Sequence, residues 1–231
     1  MSWFAKPSGG YDLRSEEAVG NGIAMNGFFN ARGYTLEAQA GIIGNCYHES
    51  GLNPWRWQND IVNRAGGYGL FQFTPASQYL DWMVGGDYYA PNLSTSYVTG
   101  GAQPYDGYNQ LLVLDQDQLN KWSGYCWRPY WSTVDYAELY AMRARILQTY
   151  GDGVGLTYDQ FKLINNVSDA TFAFLACYEG PAVPNFYVRE ATANYVFNGL
   201  NPYTPDDPPL KPVKKKKIFF YLKPYWRDFI K

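Results

Sequence analysis

Thr35-Leu-Glu-Ala-Gln-Ala-Gly-Ile-Ile-Gly-Asn-Cys-Tyr-His-Glu-Ser-Gly51 is the stretch on which the fold turns. Leu36, Ala40, Ile43, Tyr47 and Ser50 recur at helical spacing and form one stripe, with Thr35 in place as N-cap. Gly51 and Pro54 end it. Glu49 therefore falls in the last turn of an apolar helix, where the carbonyl end of the helix dipole opposes a negative charge and raises a carboxyl pKa. Tyr47, Trp55 and Trp57 add desolvation in the same direction. A glycosidase needs such a carboxylic acid, still protonated near neutral pH, to protonate a leaving oxygen. A solvated terminal glutamate meets the spacing equally well.

Upstream, Ser15 caps a helix that runs to about Arg32, with Glu16 and Glu17 in its first turn and Gly33 at its end. The two helices make a hairpin through a very short turn. Downstream, Gly66-Gly-Tyr-Gly69 and the following Leu-Phe-Gln-Phe-Thr-Pro75 predict a turn and a short extended or β element beside the second helix. Gly85 to Gly107 reads as a long surface loop. Helical patterning returns over 109–121 and 133–150. Thr157 and Ser168 stand as N-caps of two further helices, and a last helix spans 185–198, closed by Gly199. The fold class is mainly α. Residues 1–14 form an N-terminal segment, 15–200 one domain, and 201–231 a Pro-rich linker with a Lys-rich aromatic tail.

Composition narrows the classes. A 46% hydrophobic fraction and 17% charged residues over 231 positions describe one folded core. A net charge of -2 gives no reason to expect nucleic acid as a partner. No run of about 18 apolar residues predicts a membrane span, and the N-terminus has no apolar core of a secretory signal. The 22 Tyr and 8 Trp exceed what a core of this size needs, so many rings should reach the surface. Three cysteines cannot pair completely. Buried free thiols suit Cys46 and Cys177, with one bridge and one free thiol as the alternative. No metal-ligand spacing exists around the single histidine, His48, and neither metal nor cofactor is expected.

Glu49-Ser-Gly-Leu-Asn-Pro54 followed by Gly67-Tyr-Gly-Leu-Phe-Gln72 resembles the signature of lytic transglycosylases and goose-type lysozymes. More closely, the chain is similar to the phage tail-tip lysozymes, through Gly41-Ile-Ile-Gly-Asn45, Tyr158-Asp-Gln-Phe161, Phe174-Leu-Ala-Cys-Tyr-Glu-Gly-Pro181 and Arg189. Phe71 replaces the usual Met, and Gly180 replaces the arginine of the family's Tyr-Glu-Arg-Pro pattern, removing a positive charge from that corner.

The resemblance implies a lysozyme-like fold and a peptidoglycan muramidase carried in a phage virion tail. Glu49 would be its catalytic acid, Ser50 a brace, Gln72 a cleft residue and Tyr178 a partner of the acid. Trp55, Trp57, Tyr68 and Phe73 flank the expected site as candidates to stack on sugars, core packing being the alternative for each. Asp60 is the best-placed second carboxylate, with Asp81 and Asp87 as rivals. Expected partners are glycan strands and other tail proteins, the latter through 201–231. A transglycosylase using Glu49 alone, and a catalytically silent tail protein, remain open.

Overall fold

The computed structural model describes residues 3–84 and 106–199. The chain is mainly helical: α1 is Glu16–Asn30, α2 Leu36–Ser50, α3 Ala76–Val84, α4 Gly107–Lys121, α5 Ala137–Thr149, α6 Tyr158–Lys162, α7 Val167–Phe174 and α8 Phe186–Gly199. Most of the Gly/Tyr-rich loop expected from Gly85, and the linker and tail after Gly199, lie outside the described residues.

Helix starts follow their caps. Ser15 accepts a hydrogen bond from the Ala18 amide and Thr35 from the Ala38 amide. Thr157 and Gln160 form a reciprocal capping box. At α7 the cap is Asn166, which accepts from the Asp169 amide, and Ser168 lies inside the first turn. Asn166 takes this place because it precedes the helix in extended backbone, from which its side chain reaches the N3 amide. α5 starts later than the pattern suggests. The Ser132 hydroxyl holds the amides of Val134 and Asp135 in a turn before Tyr136.

α2 runs through the middle of the described domain, with α7, α8 and α1 packed around it. Its own sequence permits that approach. A β-carbon at Gly41 would stand 2.8 Å from the Ala170 carbonyl carbon, and one at Gly44 2.9 Å from the Arg189 carbonyl oxygen. Only glycine lets the backbones of α7 and α8 close on this helix. Ile42, Ile43 and Cys46 complete its buried surface.

The stretch between α2 and α3 forms no strand among the described residues. Trp57 and Phe73 each make an isolated antiparallel bridge to Tyr68. Buried Gln110 of α4 ties this turn down, accepting from the Leu70 amide at 2.6 Å and donating to the Pro54 carbonyl at 2.6 Å. The N-terminal segment straps the other side: Asn21 bonds both backbone groups of Phe4, and Asn53 donates to the carbonyls of Lys6 and Gly9.

Cys177 is not a free thiol. It is bonded to Cys126, while Cys46 is buried and unbridged. The helical pattern around Cys177 gives no hint of a partner, because Cys126 arrives from a turn 51 residues away.

Candidate active site

α7 does not end as a regular helix. Leu175–Glu179 forms a π-helical turn, closed by Gly180 at φ 56°. Such turns insert one residue into a helix and redirect the side chains that follow, and they are frequent at functional sites. Here the turn presents Tyr178 and Glu179 toward the C-terminal end of α2, where Glu49 stands.

Between these two helix ends lies a cleft of about 530 Å³. Glu49 and Glu179 line it together with Gln72, Arg56, Lys121 and Arg128. The rest of its wall includes Tyr178, Phe71 and Pro181.

Glu49 is clamped. The Arg189 guanidinium of α8, 4% exposed, donates to its Oε1 at 2.6 Å. The same guanidinium bonds the Asn45 carbonyl and side-chain oxygens, so its position is fixed from two sides. Glu49 itself is 21% exposed and faces the cleft. Ser50, next in sequence, is buried and donates to the Cys46 carbonyl at 3.0 Å, tightening the final turn of α2.

Glu179 differs. The residue is only partly exposed, and its Oε1 is buried without a hydrogen-bond partner among the described residues. Burial pushes its pKa up to about 8, helped by the negative charge of Glu49 and opposed by Arg189, Lys121 and Arg128. Sequence reading passes over this residue as a candidate.

The other expected residues divide. Gln72 is held in the cleft wall at φ 46°, its amide donating to the carbonyls of Gly69 and Arg56. Tyr178 also lines the cleft, its ring stacked on Phe174 with centroids 5.0 Å apart. Trp55, Trp57, Tyr68 and Phe73 are buried and line no part of it. Phe73 stacks on Tyr79, and Trp57 packs against Tyr68, so these rings fill the core under the turn and present no face to a sugar. Asp60 is also absent from the cleft wall. Its carboxylate accepts from the Gly9 amide at 2.6 Å and faces Arg56 at 3.8 Å, holding the N-terminal strap. Asp81 pairs with Arg64 at the surface, and Asp87 lies outside the described residues.

A model of the phage tail lysozyme family matches residues 21–200. The chain belongs to that family. The match contains both cleft carboxyls and every described helix except the start of α1. Morphogenesis protein 1 of Bacillus phage B103 is 27% identical over 190 residues, covering 81% of this chain and 41% of that protein. The chain thus spans about two-fifths of the length of this curated relative.

In this member of the family the departure at Gly180 has a structural counterpart. A side chain at 180 would run into the Arg128 guanidinium, which fills the space and donates to the Tyr178 carbonyl at 3.1 Å. A positive charge thus occupies the corner after all, supplied from a different part of the chain. No helix among the described residues is long and apolar enough to cross a membrane, and no cluster there could hold a metal ion.

Proposed function

We propose that this chain is the peptidoglycan-cutting glycosidase of a phage virion tail, acting on the β-1,4 bond between N-acetylmuramic acid and N-acetylglucosamine. One observation carries the reading: two glutamates from separate helix ends face a single open cleft, one anchored by a buried arginine and the other with one carboxyl oxygen buried. Paired carboxyls in unequal surroundings are the machinery of glycoside cleavage. The polar lining of Gln58, Asn59, Gln72 and Thr74 suits a hydroxyl-rich polymer, and the cations suit the carboxylates of its peptide stems.

Glu49 is the catalytic residue named by the family signature. The enzyme would be assembled in the host cytoplasm, travel with the tail, and open the wall for DNA entry. Contact with other tail proteins is assigned to residues 201–231. The name of the phage B103 relative favours a second reading, a morphogenetic protein on a lysozyme scaffold.

Turbidity of purified peptidoglycan, followed with wild-type and Glu49→Gln protein, separates the two. The glycosidase reading expects clearing by the wild type and loss by a factor on the order of 10² or more in the folded variant. Product mass then identifies the reaction. Hydrolysis gives reducing sugars, whereas a transglycosylase gives anhydro sugars lighter by one water. No cleavage of any wall by the wild type favours the morphogenetic reading.

A further inference from the structure

The cleft lining is supplied by two stretches of different chemistry. Residues 56–74 bring the amides of Gln58, Asn59 and Gln72 and the Thr74 hydroxyl, groups that bond neutral sugar hydroxyls. Residues 121–181 bring Lys121 and Arg128 beside Tyr178 and Glu179. A neutral polysaccharide offers two cations nothing to bind. Wall glycan is different, because its muramic acid carries a lactyl branch that ends either in a carboxylate or in a peptide stem with carboxylates of its own.

Both cations have charge to offer. Among the described residues neither pairs with a carboxylate, whereas Arg56, the third cation of the lining, faces Asp60 at 3.8 Å. Glu179 is the carboxyl that feels them both. Burial holds its pKa up to about 8, so below that pH it brings them little negative charge. Unmatched positive charge in a polar cleft favours a ligand with an anionic group at that place.

Arg128 is held in place by the fold. Its Nη2 donates to the Tyr178 carbonyl at 3.1 Å, and its Nε is buried without a hydrogen-bond partner among the described residues. The guanidinium occupies the space that a side chain at position 180 would need, so glycine there lets it reach the cleft. Segment 123–131, which carries it, is tied to the π turn. Cys126 is bonded to Cys177, whose carbonyl accepts from the Ser123 amide at 2.7 Å. The Gly180 carbonyl accepts from the Tyr130 hydroxyl, and the Pro181 carbonyl from the Trp131 indole at 2.8 Å. Lys121 ends α4, with its Nζ 5.5 Å from the centroid of the Tyr178 ring. A planar guanidinium and a compact ammonium on a longer stem thus border the same part of the cleft.

We propose that Lys121 and Arg128 form an anion subsite that receives the carboxylate of the muramic acid branch, so that the cleft selects muramic acid glycan over neutral N-acetylglucosamine polymers. This rests on the glycosidase reading of the cleft and takes its substrate class one step further. Arg128 orients the carboxylate through its planar donors, and Lys121 adds a point charge.

The test is calorimetry of the full chain, carrying Glu49→Gln to prevent turnover, against three tetrasaccharides. One alternates N-acetylglucosamine with N-acetylmuramic acid and has free lactyl carboxylates; the second is the same glycan with peptide stems; the third is chitotetraose, which is neutral. The ratio of affinity for the anionic probes to that for chitotetraose should fall about tenfold in Lys121→Gln and in Arg128→Gln. Arg128→Lys should restore part of it. The anionic probe whose preference falls further identifies the carboxylate that is held. In protein with Glu49 intact, the same substitutions should raise KM for peptidoglycan more than they lower kcat. The proposal is overturned if the ratio is unchanged in both variants, if chitotetraose binds as tightly as the anionic probes, or if polyglycerol phosphate is the one ligand whose binding the variants weaken. A wild type that cuts no wall while the ratio still falls removes the glycosidase reading and leaves the anion subsite standing. A wild type that cuts while the ratio stays constant does the reverse.

Discussion

Two helix ends of this protein are written almost alike and stand in different surroundings. α2 finishes as Cys46-Tyr-His-Glu-Ser-Gly51 and the π turn after α7 as Cys177-Tyr-Glu-Gly180, each closed by a left-handed glycine, at φ 60° and 56°. Both place a glutamate where helix carbonyls disfavour negative charge. At α2 a buried arginine bonds the carboxylate; at the π turn burial pushes the carboxyl pKa up. The contrast shows that a sequence motif positions a carboxyl, whereas elements remote in sequence set its surroundings.

The same contrast extends to how the two walls are held, and four changes would break or sharpen it. The largest concerns the π turn. Removing the bridge with Cys126→Ser frees a loop of sequence separation 51, for which loop entropy gives about 4 kcal/mol. Denaturant unfolding should show a loss of about 2–4 kcal/mol, with cleavage reduced because Glu179 loses its support. Unchanged stability would mean that the hydrogen bonds from segment 123–131 suffice.

On the opposite wall, Arg189→Met removes the clamp and leaves Asn45 without its charged donor. Breaking a buried pair by deleting one partner costs about 3 kcal/mol or more. Urea midpoints measure it. A variant as stable and as active as the wild type would mean that Arg189 is incidental to the site.

Glu49→Gln comes next, with a barrier increase of about 2.7 kcal/mol for a hundredfold loss. The fold should persist, because the residue is partly exposed and its amide oxygen can still accept from Arg189. Circular dichroism checks the fold and reducing-sugar release the rate.

The last concerns the pH dependence of stability. Folding raises the Glu179 pKa from 4.5 to about 8, so the folded state binds the proton more tightly than the unfolded chain. Stability from this source is full below 4.5 and is lost as pH rises toward about 8. Glu179→Gln should therefore melt a few degrees above the wild type at alkaline pH and match it in acid. Equal melting curves at all pH values would contradict the burial of an unsatisfied carboxyl.

Much of the architecture was legible from single residues. Ser15, Thr35 and Thr157 mark helix starts, Gly51 marks the end of α2, and Glu49 lies in the last turn as the periodicity requires. The misreadings share one physical origin, since they depend on what folds back onto a segment. Tyr68 and Phe73 are hidden because α3 supplies Tyr79 against them, and Trp57 packs on Tyr68 in turn. Asp60 is taken by the amide of Gly9, half a hundred positions upstream. Glu179 was within reach: a glutamate closing the apolar run Phe172–Tyr178, just before glycine, repeats the signal that singles out Glu49. The π turn that aims it carries no periodicity of its own.

The most direct test of the account is a digest of purified peptidoglycan by wild-type, Glu49→Gln and Glu179→Gln proteins near pH 6, with released fragments weighed by mass spectrometry. The account predicts sugar fragments from the wild type and a loss on the order of 10² in each variant. Fragments released equally by all three would contradict it, because neither carboxyl of the cleft would then take part in the cut.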